Sequence, residues 1–295
     1  VIGAGPAGLS AATTCAERGH QVSLFEAGKE IGGQFTLARE IPGKAEYQKT
    51  IDYYKTQIDR LGIDVYLETT INSNQPAELE RNWDEIVVAT GVKPRLPDIP
   101  GIELPLVTGY SDVITGQVEC GDSVLVIGAG GIGFDVATFL LGHELENADE
   151  WLAYWGIDTS LASRGALTKP RRLPAKRRIS LLQRKHTPPG KGLGKTTGWA
   201  HRLHLANHDV QMLAGVEYQA IENGGLWITQ DGDDRLLPAD TIVVCAGQIE
   251  EDQLYRTLKM LDRGISVHLI GGAERAAELD AQRAIYQGAE LGSRL

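Results

Sequence analysis

Two glycine triplets carry spacing that can do chemistry: Gly3-x-Gly5-x-x-Gly8 in "VIGAGPAG" and Gly128-x-Gly130-x-x-Gly133 in "VIGAGGIG". In such a triplet the first glycine makes a tight turn, and the second lets the backbone approach a pyrophosphate. The third lets a helix pack close to its strand. The helix that follows offers free N–H groups and the positive end of its dipole to phosphate. Two charged positions extend the pattern. Glu26 closes "VSLFEA" 18 residues past Gly8, and Arg184 and Lys185 close "ISLLQRK" 51 residues past Gly133. A carboxylate at that strand end accepts from a ribose 2′-hydroxyl and repels a 2′-phosphate, whereas arginine favours the phosphate. The first turn therefore suits a nucleotide with free ribose hydroxyls, and the second a 2′-phosphorylated one.

Each triplet needs a strand before it and a helix after it. The pattern predicts a helix from about Ala7 to Arg18 after the first turn. It predicts a strand over Asp122–Ile127 and a helix through about Leu141 around the second. Only Val1 and Ile2 precede the first turn, so further residues are expected upstream in a longer protein. Gly32-Gly33 in "IGGQF" gives room for a bulky cofactor beside the Glu26 strand. "WDEIVVATGVKPR" (83–95) reads as a buried strand ending at Thr90-Gly91, followed by a proline-rich link from Pro94 to Pro105. "DTIVVCAGQ" (240–248) reads as a matching strand closing the second unit at Ala246-Gly247. The chain then runs through a strand, the Gly271-Gly272 turn and a long helix. This order predicts an α/β protein of two Rossmann-like domains, the first discontinuous (1–107 and 247–295) and the second (108–246) inserted into it. The stretch from about His143 to Arg178 is expected to be a surface insertion, and its "KPRRLPAKRR" is a second basic cluster able to hold a phosphate or to remain solvated.

Composition narrows the class. At 295 residues the chain suits about two domains. No run reaches the roughly 20 apolar residues of a membrane span, and a net charge of −10 opposes general nucleic-acid binding. Cys15, Cys120 and Cys245 lie far apart with no C-x-x-C, and read as buried thiols in a reducing cytoplasm. "GKGLGKTTG" imitates a P-loop but has Pro189 where glycine is needed. Thr196 or Thr197 is expected to cap the next helix, with Lys195 near a phosphate. His201, His204 and His208 fall on one helical face, yet no carboxylate or cysteine matches them. No metal is expected there, only a cofactor-side or solvated face.

The joint occurrence of "EIGGQF…IPGK", "GGIGFD", "LQRK…GLGKTTGW", "CAGQ" and "HLIGG…ELDA" resembles the C-terminal half of bacterial NADPH-dependent 2,4-dienoyl-CoA reductases. These belong with the old yellow enzyme/trimethylamine dehydrogenase-like flavoproteins and have a glutathione-reductase-like layout; the resemblance covers essentially the whole chain. It implies FAD in the first domain, against Gly3, Gly5, Ala7, Gly8, Glu26, Gly33, Gln34, Lys44, Ile71, Thr90, Gly91, Gly272, Leu279 and Asp280. It implies NADPH in the second, against Gly128, Gly130, Gly131, Gly133, Arg184, Lys185, Ala246 and Gly247. The wider flavoproteins have Gly-Asp where this chain has Gly271-Gly272, so the ribityl contact of that Asp is missing. The helix after that turn is expected to direct free N–H groups at the flavin pyrimidine.

The resemblance implies hydride passage from NADPH to FAD with no catalytic side chain beyond those that position the cofactors. Electrons would continue through an iron–sulfur cluster and FMN, carried by an N-terminal half that this sequence does not contain, to an unsaturated fatty acyl-CoA of β-oxidation. A second reading is a structural module that holds an adenine nucleotide without turnover, as in the trimethylamine dehydrogenase relatives. Arg184 and Lys185 favour the first. A stand-alone disulfide reductase would need a redox cysteine pair, and none exists.

Overall fold

A computed structural model describes residues 1–71, 83–142, 147–261, 264–277 and 280–295. The chain forms two compact units, one of residues 1–39, 44–93 and 248–295, the other of 40–43 and 94–247.

The first unit opens with the bridge residue Ile2 and then α1 (Pro6–Glu17), which starts with proline at its first position, where no N–H is needed. It continues with β1 (Ser23–Phe25), α2 (Gln34–Ala38), α3 (Tyr47–Leu61), β2 (Asp64–Tyr66), β3 (Glu85–Val88) and β4 (Val92–Pro94). Ile2 bridges Phe25 on one side and Val88 on the other, both in parallel. Its N–H donates to Val87 O at 2.8 Å and its carbonyl accepts from Ala89 N at 2.8 Å. β2 extends β1, so Ile2 occupies the centre of a parallel sheet.

The second unit contains β5 (Val107–Gly109), α4 (Tyr110–Ile114), β6 (Ser123–Ile127), α5 (Gly131–Leu141), α6 (Ala148–Trp155), β7 (Arg178–Leu182), α7 (Gly198–Asn207), β8 (Gln211–Leu213), β9 (Glu217–Glu222), β10 (Gly225–Gln230), β11 (Asp233–Pro238) and β12 (Thr241–Val244). Five strands form one parallel sheet in the order β5-β12-β6-β7-β8, and β9-β10-β11 form an antiparallel meander. β6 and β12 read as near-continuous apolar runs because a parallel sheet is covered on both faces. Each fully buried leucine of this core, such as Leu181 and Leu182 at 0 % exposure, contributes about 1.5–3 kcal/mol.

The chain then returns to the first unit through β13 (Gln248–Glu250), α8 (Gln253–Leu261), β14 (Ser266–Leu269) and α9 (Ala281–Arg294). β14 pairs in parallel with β3 and completes the sheet. α9 lies on α1 with glycine at the crossing. A Cβ on Gly288 would come within 2.3 Å of Ala7 O, and one on Gly292 within 2.8 Å of Thr14 Cβ.

The second unit begins at Pro94, not at the expected residue 108. The proline-rich link is part of its core: Ile99 is buried beside Ile221, and Ile221 N donates to Pro100 O at 2.7 Å. The insertion after α5 is also more than surface. Its described part contains α6, begun by Asn147 accepting from Glu150 N at 3.0 Å, with Tyr154 only 4 % exposed.

Candidate dinucleotide sites

In the first unit the turn is built as the triplet requires. Gly3 has φ +100, and a Cβ there would meet Ala89 O at 2.4 Å; one on Gly8 would meet Gly3 O at 1.9 Å. Both glycines are needed by the fold itself. Gly5 differs, with φ −77 and a virtual Cβ that would meet only Gly33 Cα, at 3.9 Å. The fold leaves room at Gly5 that a methyl would fill, beside the backbone of Gly33. Glu26 hooks this turn from the end of β1: its carboxylate accepts from Ala4 N at 2.7 Å and from Gly28 N at 2.8 Å.

Other expected residues gather around α1. Gly271 sits against Ala7 Cβ (a Cβ on it would be 2.7 Å away), which brings the buried Gly271-Gly272 turn onto the first turn of α1. Thr90, at the end of β3, donates its hydroxyl to Glu251 O, and Gly91 follows with φ +77. Ile71 is half-buried against the Ile2, Ile86 and Val88 cluster. Gln34 starts α2 exposed to solvent, and Lys44 is half-buried ahead of α3. Leu279 lies outside the described residues. Asp280 has a local role that the sequence reading missed: it caps α9, accepting from Arg283 N at 2.7 Å. That N–H is taken by the cap.

The second unit repeats the construction. Gly128 has φ +114 with Cys245 O at 2.3 Å from a virtual Cβ, and Gly133 faces Gly128 O at 1.8 Å. Gly130, at φ −87, and Gly131 would meet nothing within 4 Å if they carried a Cβ. The vacant room is again at the second glycine. Ala246 and Gly247 follow β12, with Arg95 Nε donating to Ala246 O at 2.9 Å and Arg95 N to Gly247 O at 3.0 Å.

The register corrects the pairing of Glu26 with Arg184. Ile2 pairs with Phe25 and Ile127 with Leu182, so the counterpart of Glu26 is Gln183, and Arg184 comes one residue later. Gln183 bonds inward through its amide, to Lys185 O at 3.0 Å and to Thr187 O. No carboxylate stands there to repel a 2′-phosphate. Arg184 and Lys185 are exposed on a pinned backbone, with Gly215 N donating to Lys185 O at 3.0 Å. Burial pushes the Tyr218 hydroxyl up to about 12, opposed in part by the nearby Arg184 guanidinium. The wide sequence gap to Arg184 holds α6 and its neighbours, while β7 still pairs directly with β6.

Other expected features change. Thr197 occupies the position before α7, but its hydroxyl makes no capping bond. His204 and His208 turn toward the insertion, with Tyr154 Oη 2.8 Å from His204 Nδ1 and 3.4 Å from His208 Nδ1. Among the described residues no group of side chains has metal-holding geometry. In the upstream basic cluster, Arg177 is half-buried and donates to Cys120 O at 3.2 Å and Leu140 O at 3.4 Å. Arg171, Arg172 and Arg178 are exposed. The three cysteines are free and buried, and burial pushes each thiol up. No described helix is long and apolar enough to cross a membrane.

Residues 1–268 match the model of the pyridine nucleotide-disulphide oxidoreductase family. The chain belongs to that family. Two parallel-sheet units, each with a glycine turn, are the family's mixed α/β fold, and they make this chain an FAD- and NAD(P)-binding module of a flavin-dependent oxidoreductase. This member of the pyridine nucleotide-disulphide oxidoreductases has no cysteine pair for disulfide chemistry. It is 28 % identical over 261 residues to a metal reductase of Desulforamulus reducens, covering 88 % of this chain and 38 % of that protein. It superposes on a 2-naphthoyl-CoA reductase in complex with 2-naphthoyl-CoA with a TM-score of 0.82 and 28 % identity, covering 100 % of this chain and 39 % of that one. A 6-hydroxypseudooxynicotine amine oxidase from Pseudomonas geniculata N1 gives 0.76 at 26 % identity, over 99 % of this chain and 41 % of that one. The chain thus spans about two fifths of the length of these relatives.

Proposed function

We propose that this chain is the NADPH-oxidising module of a larger flavoprotein, with FAD on the first unit and NADPH on the second. The observation that carries the reading is the contrast between the two strand ends: Glu26 on one, and Gln183 followed by Arg184 and Lys185 on the other. In the first unit Gly3, Gly5, Ala7 and Gly8 would cradle the pyrophosphate of FAD, with Glu26 accepting from ribose hydroxyls. Gly33, Gln34, Lys44, Ile71, Thr90, Gly91, Gly272, Leu279 and Asp280 complete the proposed FAD set. In the second, Gly128, Gly130, Gly131 and Gly133 would hold the NADPH phosphates, Arg184 and Lys185 its 2′-phosphate, and Ala246 and Gly247 its inner end. Both turns fit such groups, since each leaves space at its second glycine.

When bound, the two cofactors supply hydride exchange between nicotinamide and flavin. The chain's own residues bind, orient and discriminate. The backbone N–H groups at the start of α1 and α5 meet phosphate, Glu26 selects free ribose hydroxyls, and Arg184 selects the 2′-phosphate.

For the whole protein we propose an unsaturated acyl-CoA as final acceptor, as in 2,4-dienoyl-CoA reduction during fatty acid β-oxidation. An iron–sulfur cluster and FMN of an N-terminal half would relay the electrons. The support is the joint motif set of the sequence and the acyl-CoA thioester named in the 2-naphthoyl-CoA reductase complex. Free buried thiols suit a reducing cytoplasm. The test is anaerobic titration of the flavin-loaded protein with NADPH and NADH, for the parent and Arg184→Ala. NADPH should bleach the flavin, and the variant should lose NADPH affinity by about tenfold while NADH changes little, because an exposed charge-assisted contact contributes about 1.5 kcal/mol. Nucleotide binding without bleaching would favour a structural nucleotide-holding module.

A further inference from the structure

Between Thr159 and His208 the chain carries twelve of its 29 lysines and arginines and none of its 39 acidic residues. Among the described residues none of those twelve forms an ion pair. Two support neighbouring backbone instead, Arg177 at Cys120 and Leu140, and Arg202 at Gly190. The Arg202 contact matters because of where Gly190 sits.

Gly190 anchors the loop 188–197 on the second glycine turn. Its N–H points at Ala129 O at 3.4 Å, inside the Gly128-x-Gly130 turn, and its carbonyl accepts from Arg202 Nη1 at 2.9 Å. A Cβ on Gly190 would lie 2.6 Å from Phe134 Cζ at φ +74, so the loop touches α5 backbone-first. The loop closes on itself through Lys191 N to Pro188 O at 3.1 Å and Leu193 N to Gly190 O at 3.1 Å. Trp199 Nε1 holds its far end by donating to Thr196 O at 2.9 Å. Lys191, the next residue after Gly190, is exposed. Its Cα is about 3.8 Å from that of Gly190, and its four-carbon stem reaches roughly 6 Å further. That length is enough for the ammonium to span to an anion held over the vacant room at Gly130 and Gly131.

We propose that loop 188–197 is the second jaw of the phosphate site, with Lys191 binding the diphosphate common to NADPH and NADH. This rests on the reading of the second unit as a nicotinamide-nucleotide fold, and it assigns a different job from that of Arg184. Arg184 discriminates between the two nucleotides, whereas Lys191 holds what they share. Gly190 and Arg202 are positioning residues for it.

The test is direct binding, by calorimetry on the flavin-loaded full chain at one ionic strength, of NADPH, NADH and inorganic pyrophosphate as a competitor. Lys191→Ala should weaken NADPH and NADH alike, by about five- to tenfold, and should weaken competition by pyrophosphate by a similar factor. Lys191→Arg should restore most of the loss. Arg202→Gln, which keeps every charge of the loop itself but loosens its anchor, should weaken both nucleotides to a smaller extent. Loss for NADPH alone would make Lys191 a 2′-phosphate ligand and overturn the proposal, as would no loss for either nucleotide. If the parent itself bound neither nucleotide, the reading of the second unit would fall, and the proposal with it.

Discussion

Replacing Gly130 by alanine separates what the fold needs from what a ligand needs. Gly128 and Gly133 are glycine for internal reasons, because a Cβ would collide with backbone at 2.3 Å and 1.8 Å respectively. Gly133→Ala should therefore cost at least the 1–3 kcal/mol typical of overpacking, since a carbonyl and not a flexible side chain is in the way. Gly130 has an ordinary extended backbone at φ −87, and nothing stands within 4 Å of its virtual Cβ. Alanine there should leave stability unchanged or raise it by about 0.4–1 kcal/mol, through a less flexible unfolded chain. The same methyl would fill the room through which a pyrophosphate approaches the start of α5. Losing one charge-assisted N–H contact costs about 1.5–3 kcal/mol, or roughly ten- to 150-fold in NADPH affinity. Urea unfolding and NADPH calorimetry on Gly130→Ala and Gly133→Ala give the answer together. Unchanged NADPH affinity in a stable Gly130→Ala protein would refute the assignment of this space to nucleotide.

Two other outcomes follow from burial. Cys15, Cys120 and Cys245 should resist a thiol reagent at pH 8 in the native protein and react promptly in urea, because burial raises all three thiols; fast native labelling of any one would contradict its placement. Tyr218 is raised from its ordinary 10.0 to about 12 chiefly by burial, so its contribution is complete below about pH 10 and is lost as pH climbs to 12. That loss amounts to about 2–3 kcal/mol. Tyr218→Phe should flatten the fall in stability over that window, and an unchanged slope would show that other groups control it.

The glycine turns and the acid that closes the first strand–helix–strand unit were legible because each depends on residues close together in sequence. The triplet at 3–8 and the acid at 26 lie within one strand–helix–strand unit, and the spacing carries the geometry. Features set by distant contacts were not legible. The link at 94–106 joins the second unit because Ile99 and Pro100 meet Ile221, more than a hundred residues away. Gln183, not Arg184, matches Glu26 because pairing of β6 with β7 fixes the register across the insertion. The loop at 188–197 looked like a failed P-loop, and its contact with Ala129 depends on Phe134 and Arg202, which no local pattern connects.

The seating of α9 on α1 has a consequence for the order in which the protein is made. The first unit lacks β14 and the helix whose Gly288 and Gly292 lie on α1 until residues 266–294 have left the ribosome. By then all of residues 94–247 have been synthesised, which at 5–20 residues per second takes about 8–30 s. Once residue 244 has emerged, the second unit has every strand of its own sheet and can close, while α1 and its glycine turn wait unfinished. A nascent chain stalled before residue 266 should therefore protect β6 and β7 from protease and leave α1 open to cleavage.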